Sequence, residues 1–177
     1  MYKKFMAMAL TVAMAFVLTS CGDTATKVKE EIKQTIAQAI SGNVKGEVGK
    51  SYSTQWFEFT VESIMAVDSY AGYVPQEGNI LVDVFITEKG TFDDAEPSPM
   101  GTFDFYMDSD TFYDYVYPLD PLDSTMMPEE FDLAYGETVT YHMVYEVPAG
   151  LNDLKLMYTE IDERDTEGAT FTINVNL

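Results

Sequence analysis

Thr138-Val139-Thr140-Tyr141-His142-Met143-Val144-Tyr145-Glu146-Val147-Pro148 is the stretch that decides the fold. Val139, Tyr141, Met143, Tyr145 and Val147 occupy every second position. Thr138, Thr140, His142, Val144 and Glu146 fill the places between. In a pleated strand, alternate side chains leave on opposite faces, so this spacing puts five apolar residues on one face. A helix would scatter the same five around its cylinder. Branched and aromatic side chains also suit a half-buried sheet. Pro148, which has no N–H to give a ladder, marks the strand's end.

The same alternation recurs on both sides. Phe57, Phe59 and Val61 alternate with Glu58, Thr60 and Glu62, and Trp56 opens that strand as a packing residue. Ile64 and Met65 break the register, which predicts a bulge or a strand end. Asn79–Thr87 sets Ile80, Val82, Val84 and Ile86 against Leu81, Asp83, Phe85 and Thr87. Thr102–Met107 offers Phe103, Phe105 and Met107. Thr111–Tyr117 offers Phe112 and Val116 against Tyr113, Tyr115 and Tyr117, and Asp108-Ser109-Asp110 between them has turn composition, so the pair reads as a hairpin. Leu154, Leu156 and Tyr158, then Phe171, Ile173 and Val175, complete the set. About seven strands with turn signals between them predict an all-β chain, an antiparallel sandwich. Two long loops, 68–78 and 118–135, are where binding residues would sit on such a scaffold.

The N-terminal part reads differently. Lys3 and Lys4 precede an apolar run from Phe5 to Leu18, and Leu18-Thr19-Ser20-Cys21-Gly22 follows. A charged start, a short apolar run and small residues before a cut describe an export signal. The run is too short to span a bilayer, which takes roughly 20 residues. The last five residues resemble the lipobox of bacterial lipoproteins. That resemblance implies cleavage before Cys21, a diacylglyceryl thioether on its sulfur, and a protein held to the cell membrane on its extracytoplasmic side. Val28, Ile32, Ile36 and Ile40 then recur every four residues, predicting a short helix over 24–41 ahead of the sandwich. Its apolar stripe could face the domain, a partner helix or lipid. The expected division is 1–20 lipoprotein signal peptide, 21–47 lipidated cysteine, tether and helix, and 48–177 sandwich domain.

Charge narrows the partners. The chain carries 30 acidic against 10 basic residues, a net charge of -20. Beyond residue 50 the only bases are Lys89, Lys155 and Arg164. Phosphate binding needs cationic surface, so nucleic acid is not an expected partner. Cations and basic proteins suit the charge, though an acidic surface also serves solubility alone. Cys21 is the single Cys, so the monomer contains no disulfide.

With the strands laid out, the domain resembles a family of small lipoproteins, common in Gram-positive bacteria, that carry an immunoglobulin-like domain of unknown function. That fold is similar to a secreted immunogenic antigen of mycobacteria, an immunoprotein. The resemblance spans about residues 48–177. It lies in Val48-Gly49-Lys50, in Gly78 to Val84, in Phe103–Asp110, and in Tyr135-Gly136-Glu137 leading to Tyr145-Glu146-Val147-Pro148. Thr87-Glu88-Lys89-Gly90 departs from the family, where Asn or Lys follows the apolar stretch. The resemblance implies an immunoglobulin-like sandwich and an envelope location, and it carries no catalytic residues.

The residues themselves point away from enzymes. His142 is the only His and stands mid-strand, no G-x-S-x-G elbow exists, and a lipidated Cys21 is spent. One His cannot supply the usual zinc ligands. Two candidate sites remain. Asp104, Asp108, Asp110 and Asp114 cluster along the expected hairpin, a set of oxygens suited to Ca²⁺. The spacing is not an EF-hand, since Tyr113 and Leu119 stand at its sixth and twelfth positions. Tyr70, Tyr73, Tyr113, Tyr115 and Tyr117 could form an aromatic surface for an envelope or extracellular protein. The expected function is a non-catalytic surface binding module. A structural or calcium-binding acidic envelope protein is the alternative.

Overall fold

The computed structural model describes residues 42–92, 97–161 and 167–177. The expected export signal, Cys21 and the helix expected over 24–41 lie outside the described residues. Within them, ten strands follow one another: β1 Asn43–Gly46, β2 Ser51–Ser53, β3 Phe57–Val67, β4 Asn79–Gly90, β5 Ser98–Gly101, β6 Phe105–Asp108, β7 Glu130–Leu133, β8 Thr138–Pro148, β9 Lys155–Ile161 and β10 Glu167–Asn174. One sheet has the order β2-β3-β4-β8 and the other β1-β10-β9-β6, while β5 and β7 pair as a separate ribbon. The chain is an all-β sandwich of immunoglobulin-like plan. β2, β3 and β4 follow one another within the first sheet and β8 returns to pair with β4, while β9 pairs with both β6 and β10 in the second.

Each long strand owes its place to the alternation read above. Val82, Val84 and Ile86 of β4 and Met143, Tyr145 and Val147 of β8 are fully buried in the core. Phe57 and Phe59 of β3 meet rings from the opposite sheet. Phe59 lies 5.4 Å from Phe105 and 5.5 Å from Phe171, both edge-on, and Phe57 lies 5.2 Å from Tyr158. Edge-to-face ring pairs contribute about 0.5–1.5 kcal/mol each beyond burial. This cluster joins the two sheets without a disulfide. Trp56 stacks on Phe92 at 4.8 Å, a packing role as expected.

Several boundaries differ from the sequence reading. β1 lies ahead of residue 48, where it runs parallel to β10 and buries Val44. Strands β1, β2, β5 and β7 are three or four residues long, too short to leave a period in the sequence, which is why seven strands were expected. The bulge in β3 falls between Val61 and Ser63, just before the break read at Ile64, and the strand continues to Val67. Residues 111–117 are not a strand. One antiparallel bridge, Met107 to Val116, is all that joins them to β6. The loop expected over 118–135 contains β7. It also lies along the outer edge of β8, where Leu119, Met127 and His142 donate backbone hydrogen bonds to Val144, His142 and Thr125. That edge is thereby covered rather than open to pairing.

Candidate binding face

The aromatic residues of 102–117 are brought together on the outer face of the β6 sheet. Phe105 and Met107 of β6 point into the core, so Tyr106 between them points out. The Met107–Val116 bridge, with amide bonds of 2.7 and 2.9 Å in the two directions, fixes the returning chain beside β6. Tyr115 and Tyr117 therefore flank Tyr106, with ring centroids 4.4 and 6.2 Å away. Phe103 stands 5.5 Å from Tyr117 and extends the row. Phe103, Tyr115 and Tyr117 are exposed, and Tyr113 projects completely into solvent. The Tyr106 hydroxyl is anchored to Thr159 at 2.8 Å. Most of a row of large rings is thus left facing water, while its backbone is fixed.

The turn at the end of this face is tightly tied. Ser109 donates through its hydroxyl to Asp153 at 2.8 Å, and the Asp110 amide donates to the other Asp153 oxygen at 2.7 Å. These bonds hold the Asp153 carboxyl below its ordinary range. Lys155 pairs with Asp110 at 2.9 Å.

The four aspartates considered for Ca²⁺ are not gathered. Asp104 accepts the Gly101 amide at 2.8 Å, Asp108 the Ser109 amide at 2.9 Å, and Asp114 the Tyr115 amide at 2.9 Å, while Asp110 meets Lys155. Each carboxylate turns to a local donor. Among the described residues, no group of three or more His, Cys, Asp or Glu is placed to hold a metal ion.

The five tyrosines likewise divide. Tyr70 and Tyr73 bracket a two-residue turn over Ala71 and Gly72, both with positive φ, and bond to each other through their backbones. They pack on the small cluster of Leu81, Met126 and Val144, outside the other sheet. The Tyr70 hydroxyl meets Thr125 and that of Tyr73 donates to Glu146. These two serve packing; of the five, Tyr115 and Tyr117 stand in the aromatic row, and Tyr113 is exposed on the segment that leads to them. His142 bonds through Nδ1 to Asp83 at 2.8 Å.

Two features escaped the sequence reading. The first is a groove of about 500 Å³ between the 3₁₀ turn Thr102–Asp104 and the β5–β7 ribbon. Its lining includes Phe103, Asp104, Glu129, Glu130, Phe131 and Asp132. Phe103 belongs to both the groove and the aromatic row. Burial pushes the Asp104 carboxyl upward. The second is Glu88, on the inward face of β4 and 1% exposed, whose two carboxyl oxygens have no hydrogen-bond partner. Burial, and then the charge of Asp104, push it up to about 8. The signal for Glu88 was present: it continues the series Ile80, Val82, Val84, Ile86 by the same step of two. Glu129–Asp132 carried no comparable signal, because a four-residue strand has no period.

No protein-family model matches the chain, and no curated protein matches it. Solved structures do. It is similar to YcdA, a candidate lipoprotein of Bacillus subtilis, with a TM-score of 0.52 and 16% identity over 70% of this chain. The chain spans 38% of that protein's length. It is also similar to the YjhA protein of the same organism, with a TM-score of 0.52 and 13% identity, covering 73% of this chain and 98% of that one. At these identities the likeness is one of fold, a β-sandwich. Among the described residues, no helix is long and apolar enough to cross a membrane.

Proposed function

We propose that this protein is a lipid-anchored, non-catalytic binding module facing the extracytoplasmic side, and that Phe103, Tyr106, Tyr113, Tyr115 and Tyr117 form its contact surface. One observation carries the reading: a row of rings exposed on a sheet face whose backbone is locked by the Met107–Val116 bridge and the Asp153 ties. Contiguous exposed apolar surface on a soluble domain marks interaction sites. Tyrosine provides large contact area at low entropic cost. The anchor rests on Leu18-Thr19-Ser20-Cys21, and the likeness in fold to a candidate lipoprotein agrees with it.

The test is cross-linking in the native envelope. A photoreactive phenylalanine analogue replaces Tyr113 in the full chain, or Val74, which is exposed elsewhere. A discrete adduct formed from position 113 and not from 74 is the expected result. It should vanish when Tyr115 and Tyr117 are changed to Ser. Identical adduct patterns from both positions would end the proposal. Cys21→Ser should move the protein from the membrane to the soluble fraction, and membrane retention of that variant would remove the anchor.

A further inference from the structure

We propose that the 3₁₀ turn Thr102–Asp104 is a latch that opens in alkali: when Glu88 ionises on the inner face of β4, the turn swings outward and Phe103 leaves the aromatic row. The inference adds a regulation to the contact surface proposed above, and its consequence for contact rests on that reading.

The geometry begins on β4. Ile86, Glu88 and Gly90 share the inward face, so Glu88 puts a carboxyl where its neighbours face the core. It is buried, and neither of its oxygens has a partner. Phe59 of β3 and Val139 of β8 stand beside it in the two ladders. A neutral carboxyl can stay among such groups, whereas a carboxylate there lacks both water and a counter-charge. Lys89, next in the chain, points to the other face and is exposed.

The titratable groups that face Glu88 are all acids. Asp104 comes from the turn, Tyr145 from β8 and Tyr158 from β9. β3 presents Phe57 and Phe59 to the core, and β7 lays Leu133 against Gly90, two residues further along the same face. Burial raises both phenols, and the Tyr145 hydroxyl donates to the Phe105 carbonyl. Asp104 is the one group among them whose negative charge meets an ionised Glu88 at ordinary pH.

Relief of that charge requires water at Glu88, and the fold has one weak wall. β4 is laddered to β3 and β8 along nearly its whole length. Phe105 and Tyr158 are locked in the ring cluster with Phe57 and Phe59. The turn has no such ties. It is three residues long, stands outside both sheets, and is closed by the Gly101 amide donating to Asp104. β5, which leads into it, pairs only with β7. The far end of that ribbon is fixed to β4, where Gly90 exchanges amide bonds with Gly136 and Glu137. The turn can therefore swing while the ribbon stays attached. Phe103 rides on the turn and packs on Tyr117, so the swing removes the end of the row.

The test is hydrogen exchange of the full lipidated chain in uncharged detergent, with no partner present, comparing native protein with Glu88→Gln. Dividing the native rate by the variant rate at each pH cancels the intrinsic pH dependence of exchange. An opening that wets Glu88 lets it ionise as in a free chain, so this ratio in 100–104 should rise about tenfold per pH unit between about pH 6 and pH 8, then level off. Exchange through the latch should hardly respond to about 1 M urea, while exchange through global unfolding, the route left to β8, should accelerate. Should Glu88→Gln fail to fold, Glu88→Leu, similar in size and without polar atoms, takes its place. A ratio that stays flat overturns the inference. So does a rising ratio that urea accelerates as much in 100–104 as in 140–147, since that reports loss of the whole fold. A flat ratio removes the latch whether or not Tyr113 cross-links. A rising, urea-insensitive ratio without the Tyr113 adduct would keep the latch and remove the contact surface it serves.

Discussion

Replacing Glu88 with Gln should make the protein more stable at alkaline pH and leave it almost unchanged in acid. In the fold the carboxyl is pushed up to about 8 from its ordinary 4.5, first by burial and then by Asp104. The folded state therefore holds this proton more tightly than the unfolded chain does. Below about pH 4.5 both states are protonated and the site costs nothing through ionisation. As pH rises from there, the unfolded chain ionises first and stability falls, by up to about 1.4 kcal/mol for each pH unit. Near pH 8 the folded group ionises too and the loss is complete. The gap between 4.5 and about 8 comes to roughly 5 kcal/mol, an order of magnitude for the full effect. Gln stays neutral throughout, while its amide lacks partners much as the protonated acid does. The variant and the native chain should match near pH 5 and separate by several kcal/mol near pH 9. Urea unfolding of both proteins across that range measures the difference directly. Contributions from Asp153 and Glu146, whose carboxyls are held low by hydrogen bonds, occur in both proteins and cancel. Asp104, Tyr145 and Tyr158 face the same region, so a small residual curvature is expected from their altered neighbour. A difference that stays constant from pH 5 to pH 9 would refute the reasoning, because Glu88 would then not be a buried neutral acid.

Three further outcomes follow from the fold. A fragment of residues 48–177 loses β1, which uncovers the edge of β10 and removes the buried Val44. Burial of one such side chain is worth about 1.5–3 kcal/mol, so calorimetry should find it melting roughly 5–10 °C below residues 42–177; coincident transitions would show β1 to be dispensable. Gly101→Ala would put a Cβ 2.3 Å from the Glu129 carbonyl oxygen, and with backbone on both sides something must shift. A loss of about 1–3 kcal/mol is expected in chemical unfolding, and native stability would mean that the ribbon yields freely. Because Asp104, Asp108, Asp110 and Asp114 each serve a local donor, millimolar Ca²⁺ should move the melting temperature by less than about 2 °C. A larger rise, lost on Asp108→Ala with Asp110→Ala, would restore the metal site.

The long strands were legible because each buries one face along its whole length. Val82, Val84 and Ile86 face the core, as the step of two requires. The opposite face of β4 was ambiguous in sequence, since Leu81 and Asp83 are both buried there, the former under Met126 and the latter against His142. Segment 111–117 alternates as cleanly as a strand. It forms a single bridge to the free edge of β6, and its backbone bends at 113–114 rather than staying extended. Alternation reports which way side chains point along extended backbone, and it is silent on whether a neighbour is available to pair.

The 3₁₀ turn at Thr102–Asp104 shows why the site was harder to read than the fold. Taken as strand, Phe103 shares a face with Phe105 and Met107 and belongs in the core. A 3₁₀ turn advances three residues per turn, so it breaks the period of two. Thr102 is buried instead, Phe103 is turned out to meet Tyr117, and Asp104 folds back onto the Gly101 amide. Gly101 permits the turn, because only a residue without a Cβ can lie against the Glu129 carbonyl. Three consecutive residues thus supply the end of the aromatic row, a wall of the groove and the charge felt by Glu88. A local departure from strand geometry creates the contact surface here, and a change in the turn should alter ligand contact before it alters the sandwich. Thr102→Val, which keeps the shape but removes the hydroxyl, should leave ring packing intact. Gly101→Ala should shift Phe103 and Asp104 together, visible as coupled changes in the cross-linking yield from the aromatic row and in the pH at which Glu88 titrates. Independent responses of those two readouts would show that the turn does not link them.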